Sequence, residues 1–405
     1  MKVTFFLSSP NPVADAGWTR ISYLASYFHS KGHEVAIVGI FTPTTLGLAG
    51  SKVWRRVSVY NLCPYLMVGG VGAMLANSLF SILTYVPFLF LQRPSLVFIS
   101  VPSGDSAVGA YLGSRVLGAK VITDYRDEWE DYLISRQESH AGRHYLGFLK
   151  AVMSALYAKS AHVVAVTRPC ALALKLRGID AGLLSNGADV SVFRPRDKVL
   201  MRQKLGLDLE EFLVVYSGGL VGYYRVDFVL KALSKLKAKS TRKIGLVLVG
   251  KESGFESIMG IAESLGVQDR VVHLGEKVEK EELAEVLCAC DVGVVPYDSN
   301  PLWRDALPAK FFEYCACGLP VVVTAFPDSL ISQSVRSGMI GLTANPMDVE
   351  GLSSVIDQMA SDSEFLRAAG LRARSMVVAK YDRRKIAQEF LLMIADTLRT
   401  EELPS

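Results

Sequence analysis

Asp305 and Glu313 stand eight positions apart in "DALPAKFFEYCACGLPVVVTA", with Lys310 between them. Carboxylates accept hydrogen bonds and an ammonium group pairs with anions, so this spacing can hold a polar ligand. Glu313 has an ordinary alternative as a capping or ion-pair carboxylate on a solvated helix. Gly17 follows a first strand and opens a helix, where the chain can approach phosphate closely and present the helix N-terminus. A plain strand-to-helix turn is the other reading of Gly17. Gly218 and Gly219 form a turn that can offer backbone N–H groups. His140 and His144 lie four apart near Glu138, a metal-compatible spacing, but no second ligand pair accompanies them and an exposed helix face is preferred. The pairs Cys288/Cys290 and Cys315/Cys317 are C-x-C, and side chains two apart on a helix diverge, so reduced core thiols are expected rather than zinc.

These residues need a scaffold. Pro308 has no N–H to lose and a φ suited to a first turn, so the spacing predicts a helix from near Pro308 to Gly318. Lys310 and Glu313 then share one face, with Phe311, Phe312 and Cys315 behind them and Asp305 in the preceding loop. "PVVVTA" reads as a buried parallel strand, and loop, helix start and strand together make a polar rim on an apolar frame. A first series of alternating strands and helices places strands near Lys2–Ser8, Glu34–Gly39, Leu96–Ser100, Lys120–Asp124 and Val163–Val166. A second runs through "FLVVYSGG", "IGLVLVG", "RVVHLG", "DVGVVPY" and "PVVVTA". The expected fold class is α/β, with two Rossmann-like doubly wound parallel-sheet domains and a cleft between them. Turn residues and a proline in "NGADVSVFRPRDK" put the boundary near Pro195, giving domains 1–194 and 195–380. Residues 381–405 are expected to form a helix that crosses back to the first domain.

The 405 residues are 50% hydrophobic and 21% charged, which excludes disorder. A net charge of +4 without a dense Lys/Arg run argues against nucleic acid and suits anionic lipid or phosphate. "MKVTFFLSSP" reads as a first strand rather than a signal peptide, and a cytoplasmic setting fits. No charged residue lies between Arg56 and Arg93. A transmembrane span there would leave strands of one sheet on opposite sides of a bilayer. The stretch therefore reads either as a buried helix pair or as an apolar surface resting on a membrane, with Leu79, Phe80, Leu83, Phe88 and Phe90 as candidate lipid-facing side chains and Arg55, Arg56 and Arg93 at the headgroups.

Five stretches, in order, resemble the GT-B glycosyltransferases of family 4, particularly the subgroup acting on polyprenyl-linked acceptors in surface-glycan assembly. They are "AGWTRISYLASYFHSKGHEVAIV", "VPSGDSAVGAYLGSRVLGAKVITDYRDEWED", "LLSNGADVSVFRP", "VVYSGGLVGYYRVDFVLKAL" and the stretch from Asp305. The resemblance implies a retaining enzyme without metal or cofactor, using a nucleotide-sugar donor. Glu313 would accept hydrogen bonds from the ribose diol. Asp305 stands where the family usually has glutamate and is one methylene shorter, so the backbone from Asp305 through Ala306 to Leu307 would share contact with the sugar. The family's phosphate-flanking arginine and lysine are replaced by Gly219 and Tyr224; Arg225, Arg304 and Lys310 are the nearby substitutes, each otherwise an ordinary surface cation. Arg126, Asp127 and Trp129 would line the acceptor side, with Asp127 orienting or deprotonating the attacking hydroxyl. A surface acid cluster is the alternative there. A nucleotide-sugar 2-epimerase and a noncatalytic nucleotide-binding partner share this architecture. The resemblance further implies a lipid-linked acceptor and peripheral attachment to the inner face of the cell membrane.

Overall fold

The computed structural model of the chain describes residues 1–13, 16–67, 70–101, 104–220, 224–240, 242–250, 254–277 and 279–400, leaving aside the side chains of Ala16, Trp129 and residues 396–400. The chain divides into two units, Met1–Ser185 with Arg384–Ser405, and Asn186–Arg383. The division precedes Pro195 because the intervening segment is tied to the second unit. Asn186 Nδ2 donates to Leu307 O at 3.2 Å, Ala188 exchanges backbone hydrogen bonds with Tyr381 and Arg383, and Phe193 is buried among side chains of that unit.

In the first unit the strands are Lys2–Leu7 (β1), Glu34–Phe41 (β2), Gly50–Trp54 (β3), Val57–Pro64 (β4), Leu96–Val101 (β5), Lys120–Tyr125 (β6), His162–Ala165 (β7) and Gly182–Leu183 (β8). Its helices are Ala16–Ser30 (α1), Val71–Gln92 (α2), Gly104–Leu117 (α3), Trp129–Arg136 (α4), His140–Tyr157 (α5) and Arg168–Leu176 (α6). The sheet order is β3-β4-β2-β1-β5-β6-β7-β8, parallel except where β3 meets β4. All six residues of β5 are buried, as a strand covered on both faces requires. One face packs on α1, and the other on α2, α3 and α5.

Of the two readings of the uncharged stretch, the helix pair is not what forms. The stretch begins as a strand, β4, whose residues alternate between buried and half-buried, and ends as the single helix α2. The hairpin into β4 turns on Arg55 and Arg56, both left-handed at φ 46° and 70°, the backbone of a tight two-residue turn. Phe88 is core, at 8% exposure, and not a lipid-facing candidate.

Helices α2 and α3 cross closely at glycine. A Cβ on Gly109 would stand 2.1 Å from the Ser81 carbonyl oxygen. Gly109→Ala should therefore cost about 1–3 kcal/mol by forcing the helices apart. Gly147→Ala is the control: nothing lies within 4 Å of its Cβ position in α5, so it should stabilise by roughly 0.5–1 kcal/mol. Equal thermal midpoints for the two variants would show that the crossing is not tight.

A buried ion pair joins three elements of this unit. Arg20, on α1, donates from Nε and Nη2 to the two carboxylate oxygens of Asp124, on β6, at 3.0 and 2.8 Å. The remaining guanidinium N–H groups reach the carbonyls of Leu184 and Ser185, and Ser100 Oγ donates to Asp124 Oδ2 at 2.9 Å. Every polar atom of the pair thus has company where water is absent.

The second unit has strands Phe212–Ser217 (β9), Ile244–Val249 (β10), Val271–His273 (β11), Val292–Pro296 (β12), Val321–Thr324 (β13) and Gly341–Ala344 (β14), all parallel in the order β11-β10-β9-β12-β13-β14. Around them lie Lys198–Leu205 (α7), Val226–Lys239 (α8), Phe255–Ser264 (α9), Lys280–Ala289 (α10), Ala309–Ala316 (α11), Leu330–Gly338 (α12), Val349–Ser361 (α13) and Ser363–Lys380 (α14). The last helix, Arg383–Thr400 (α15), returns the chain to the first unit, where Ala387, Phe390 and Ile394 are buried against β1 and α1. Its amphipathic spacing marks the apolar face, on which Ile386 and Met393 also pack against this core.

Candidate functional site

Helix α11 positions the polar residues of the second unit. It opens behind Pro308 and ends at Gly318, whose φ of +78° is the left-handed stop that glycine provides. The helix is short, and every residue from Lys310 to Ala316 is buried. Phe311, Phe312 and Cys315 occupy the core, so packing locks the rotation of the helix and with it the direction of Lys310 and Glu313.

Lys310 is 8% exposed, and its Nζ has no hydrogen-bond partner among the described residues. The ammonium lies 3.6 Å from the Tyr224 ring centroid and 4.0 Å from that of Tyr216. Burial holds its pKa well below the usual lysine value, with the nearby Glu313 charge pulling the other way. Gly218 faces it: at φ +134° a Cβ there would come within 2.7 Å of Nζ. A side chain at Gly218 would fill the space in front of the cation. The Gly218 N–H, however, is bonded to Val249 O, so the turn does not offer that amide to a ligand.

Glu313 is 4% exposed. Its Oε1 stands 3.8 Å from Lys280 Nζ and 3.9 Å from Arg383 Nη2, within ion-pair range, yet has no hydrogen-bond partner among the described residues. A buried carboxylate that stands near two cations and leaves an oxygen without a hydrogen bond is an acceptor for hydroxyl donors.

The other sequence candidates in this unit separate. Arg225 is committed to Asp227 in a bidentate pair, both bonds 2.8 Å, and lies over the Phe228 ring. Arg304 pairs with Asp328 and covers Phe326. Each of these two arginines therefore has a carboxylate partner, unlike Lys310. Asp305 ends a short 3-10 helix, Pro301–Asp305, and is exposed. The Ala306 N–H closes that turn onto Trp303 O, so that amide is occupied, while at Leu307 it is the carbonyl that is engaged, by Asn186. Gly219 has open space around its Cβ position, and its carbonyl accepts the Tyr216 hydroxyl at 2.6 Å. The sequence reading did not name Tyr216, Lys280 or Arg383; Tyr224 it treated only as a replacement. Tyr216 lies near the end of β9 and Tyr224 beyond it, and that placement alone could have suggested a ring beside Lys310.

In the first unit Gly17 and Arg126 come together: a Cβ on Gly17 would meet Arg126 Nη1 at 2.5 Å. The turn after β6 is held by Arg177 of α6's C-cap, which pairs with Glu128 at 2.6 Å and reaches Asp131 at 3.4 Å. Asp127 is half-buried beside them, and the side chain of Trp129 lies outside the described residues. Burial, with a hydrogen bond to Asp131, pushes Glu128 up to about 7. This neighbour of Asp127 escaped the sequence reading, because its raised proton affinity comes first from burial, against the opposing charge of Arg177, and burial is not read from local spacing.

Residues 197–376 match the family Glycosyl transferases group 1. That range covers most of the second unit, including Lys310 and Glu313. Among characterised proteins, the chain is 25% identical over 223 residues to N-acetyl-alpha-D-glucosaminyl L-malate synthase of Bacillus anthracis, covering 55% of each chain. It is 30% identical over 185 residues to D-inositol 3-phosphate glycosyltransferase of Stackebrandtia nassauensis, covering 44% of this chain and 40% of the other. The chain thus matches about half the length of these relatives or less. Sucrose-phosphate synthase from Thermosynechococcus elongatus shares the fold with a TM-score of 0.78 at 18% identity, over 98% of this chain and 99% of that one. Anabaena HepE in complex with UDP and glucose aligns with a TM-score of 0.73 at 16% identity, over 98% and 100%. The two parallel-sheet units are those of the GT-B fold.

Proposed function

We propose that the chain is a retaining glycosyltransferase that moves a sugar from a UDP- or GDP-sugar to a polyprenyl-linked acceptor at the cytoplasmic face of the membrane. The observation that carries this reading is the pairing on α11 of a buried, unbonded ammonium with a buried, partly unbonded carboxylate. Negative charge grows on the diphosphate as the bond from the anomeric carbon to its oxygen breaks, and Lys310, held in place by α11 and charged once the diphosphate is bound, offers a cation whose position is already fixed. Two vicinal ribose hydroxyls match the acceptor oxygens of Glu313. The acceptor oxygen bonds to the anomeric carbon on the face the diphosphate leaves, and its proton passes to the departing phosphate; Asp127 orients the hydroxyl. The group 1 match and the UDP complex of HepE support the donor half. The relatives' names carry malate and inositol 3-phosphate, so the lipid half rests on this chain's own apolar surface.

A thermal-shift screen of nucleotide sugars fixes base and sugar together, because a ligand that binds only the folded state raises its midpoint. Glu313→Gln keeps size and helix propensity while removing the charge, and should weaken the donor by about 1.5–3 kcal/mol with the fold intact. Unchanged donor affinity by calorimetry would refute the ribose assignment. Interconversion of the donor without any acceptor would mark an epimerase instead.

A further inference from the structure

Helix α2 is amphipathic in the opposite sense from a helix facing water. Asn77, Ser81 and Tyr85, successive turns of one stripe, are buried. The opposite stripe carries Leu75, Leu79, Leu83 and Phe90, exposed by 55%, 53%, 62% and 44%.

Its seam with α3 follows the rules of helix packing in lipid, where small residues let backbones approach and polar side chains bond between helices. Gly109 and Gly113 lie one turn apart against the α2 backbone, with built Cβ atoms 2.1 Å from Ser81 O and 3.2 Å from Val86 Cα. Asn77 Nδ2 donates to Asp105 Oδ2 at 2.9 Å, and the Gly109 N–H donates to Ser81 Oγ at 3.0 Å. Apolar side chains are left outside.

The helix does not cross a bilayer, because the strands on either side of it, β4 and β5, belong to one sheet with β2 and β1 between them. It can only lie along a surface. Charge decides which surface. Arg93 caps α2 and precedes β5, and Arg55 and Arg56 turn into β4, so all three exposed arginines stand at the edge where the parallel strands begin. Glu34, an acid at that edge, is paired with Lys2 at 2.9 Å. An uncharged leucine stripe ending in basic residues complements an anionic bilayer.

We propose that α2 seats the protein on anionic membranes, with Leu75, Leu79, Leu83 and Phe90 in the boundary between headgroups and acyl chains and Arg55, Arg56 and Arg93 at the headgroups. The proposal deepens the functional reading only in where the acceptor is met; attachment itself does not depend on the donor site.

The test is flotation of the full chain with phosphatidylcholine vesicles, with and without phosphatidylglycerol. The parent should float with the anionic vesicles, and less so as salt is added. Leu79→Glu with Leu83→Glu should lower the bound fraction roughly tenfold or more, since two of the four apolar contacts are replaced by charge of the wrong sign. Its thermal midpoint and its UDP affinity should stay at parental values, because both leucines are exposed. If the glutamates disturb folding, Leu79→Ser with Leu83→Ser gives the same readout. A parent that does not float, or a doubly substituted protein that floats as well as the parent, overturns the proposal. So does a parent dimer that the substitutions split without any effect of vesicles, which would assign the stripe to a second copy of this chain. UDP binding without flotation would leave the donor reading standing and remove this one.

Discussion

Lys310→Met is expected to raise the stability of the ligand-free protein while weakening UDP by about thirty- to a hundredfold, with uridine almost unaffected. The two effects have one origin. In the free protein Nζ is buried against Tyr216 and Tyr224 with no hydrogen-bond partner among the described residues, so methionine, similar in length and apolar, removes a group that costs about 1–3 kcal/mol to bury. In the complex proposed above the same Nζ would meet a diphosphate, and a charge-assisted contact of this kind contributes about 2–3 kcal/mol. Burial lowers the Lys310 pKa below 10.5 in the folded protein. The unfolded chain holds that proton up to the ordinary value, so the ligand-free protein gains stability from this group as pH rises toward 10.5. A diphosphate favours the charged form, so UDP binding takes up a proton wherever the free protein keeps Lys310 neutral, and affinity falls as pH rises. Calorimetry in buffers of different ionisation enthalpy reads that uptake, and Lys310→Met should show none beyond what the phosphate itself contributes. Equal losses for UDP and uridine, with a lower thermal midpoint, would show that Nζ supports the fold instead.

Breaking the pair of Arg20 and Asp124 should be the most damaging single change to stability. Arg20→Met leaves Asp124, fully buried, with Ser100 as its one remaining side-chain donor among the described residues, and strands the carbonyls of Leu184 and Ser185. The expected cost is about 3–5 kcal/mol, read as a shift in chemical denaturation of the first unit. Removing the acid as well, by Asp124→Leu, should recover a good part of the loss, because an uncompensated buried charge is worse than an apolar pair. The loosening should also reach Arg126 and Asp127, which follow Asp124 and Tyr125 at the end of β6. If Arg20→Met and the double substitution cost the same, the charge is not what the network stabilises.

The parts of the fold carried by local signals were legible in the sequence. Pro308 and Gly318 bracket α11 because one lacks an N–H and the other takes a left-handed φ, and both properties belong to single residues. The shared face of Lys310 and Glu313 followed from their spacing. Other features depend on partners that spacing does not reveal. The hairpin of β3 and β4 turns on two arginines, residues with no preference for positive φ, so the usual glycine or asparagine signal is missing. The periodicity of α2 defines two faces but not which of them meets the core. That choice rests on Asp105, Gly109 and Gly113 of another helix. Arg225 and Arg304 looked equivalent to Lys310 as cations until Asp227 and Asp328 were seen beside them.

The return of α15 makes the first unit discontinuous. Its face at Phe5, Phe28 and Phe98 is closed by Phe390, whose ring lies 6.0 Å from that of Phe28 and 5.4 Å from that of Phe98. On the ribosome the residues that supply this lid emerge only after all of Asn186–Arg383. The second unit has its entire sequence available while the first still lacks a wall of its core. Synthesis from the N-terminus usually lets the first domain fold first. Here the order of synthesis is reversed for completion: the second unit has its whole sequence first, and the unit begun earliest is completed last.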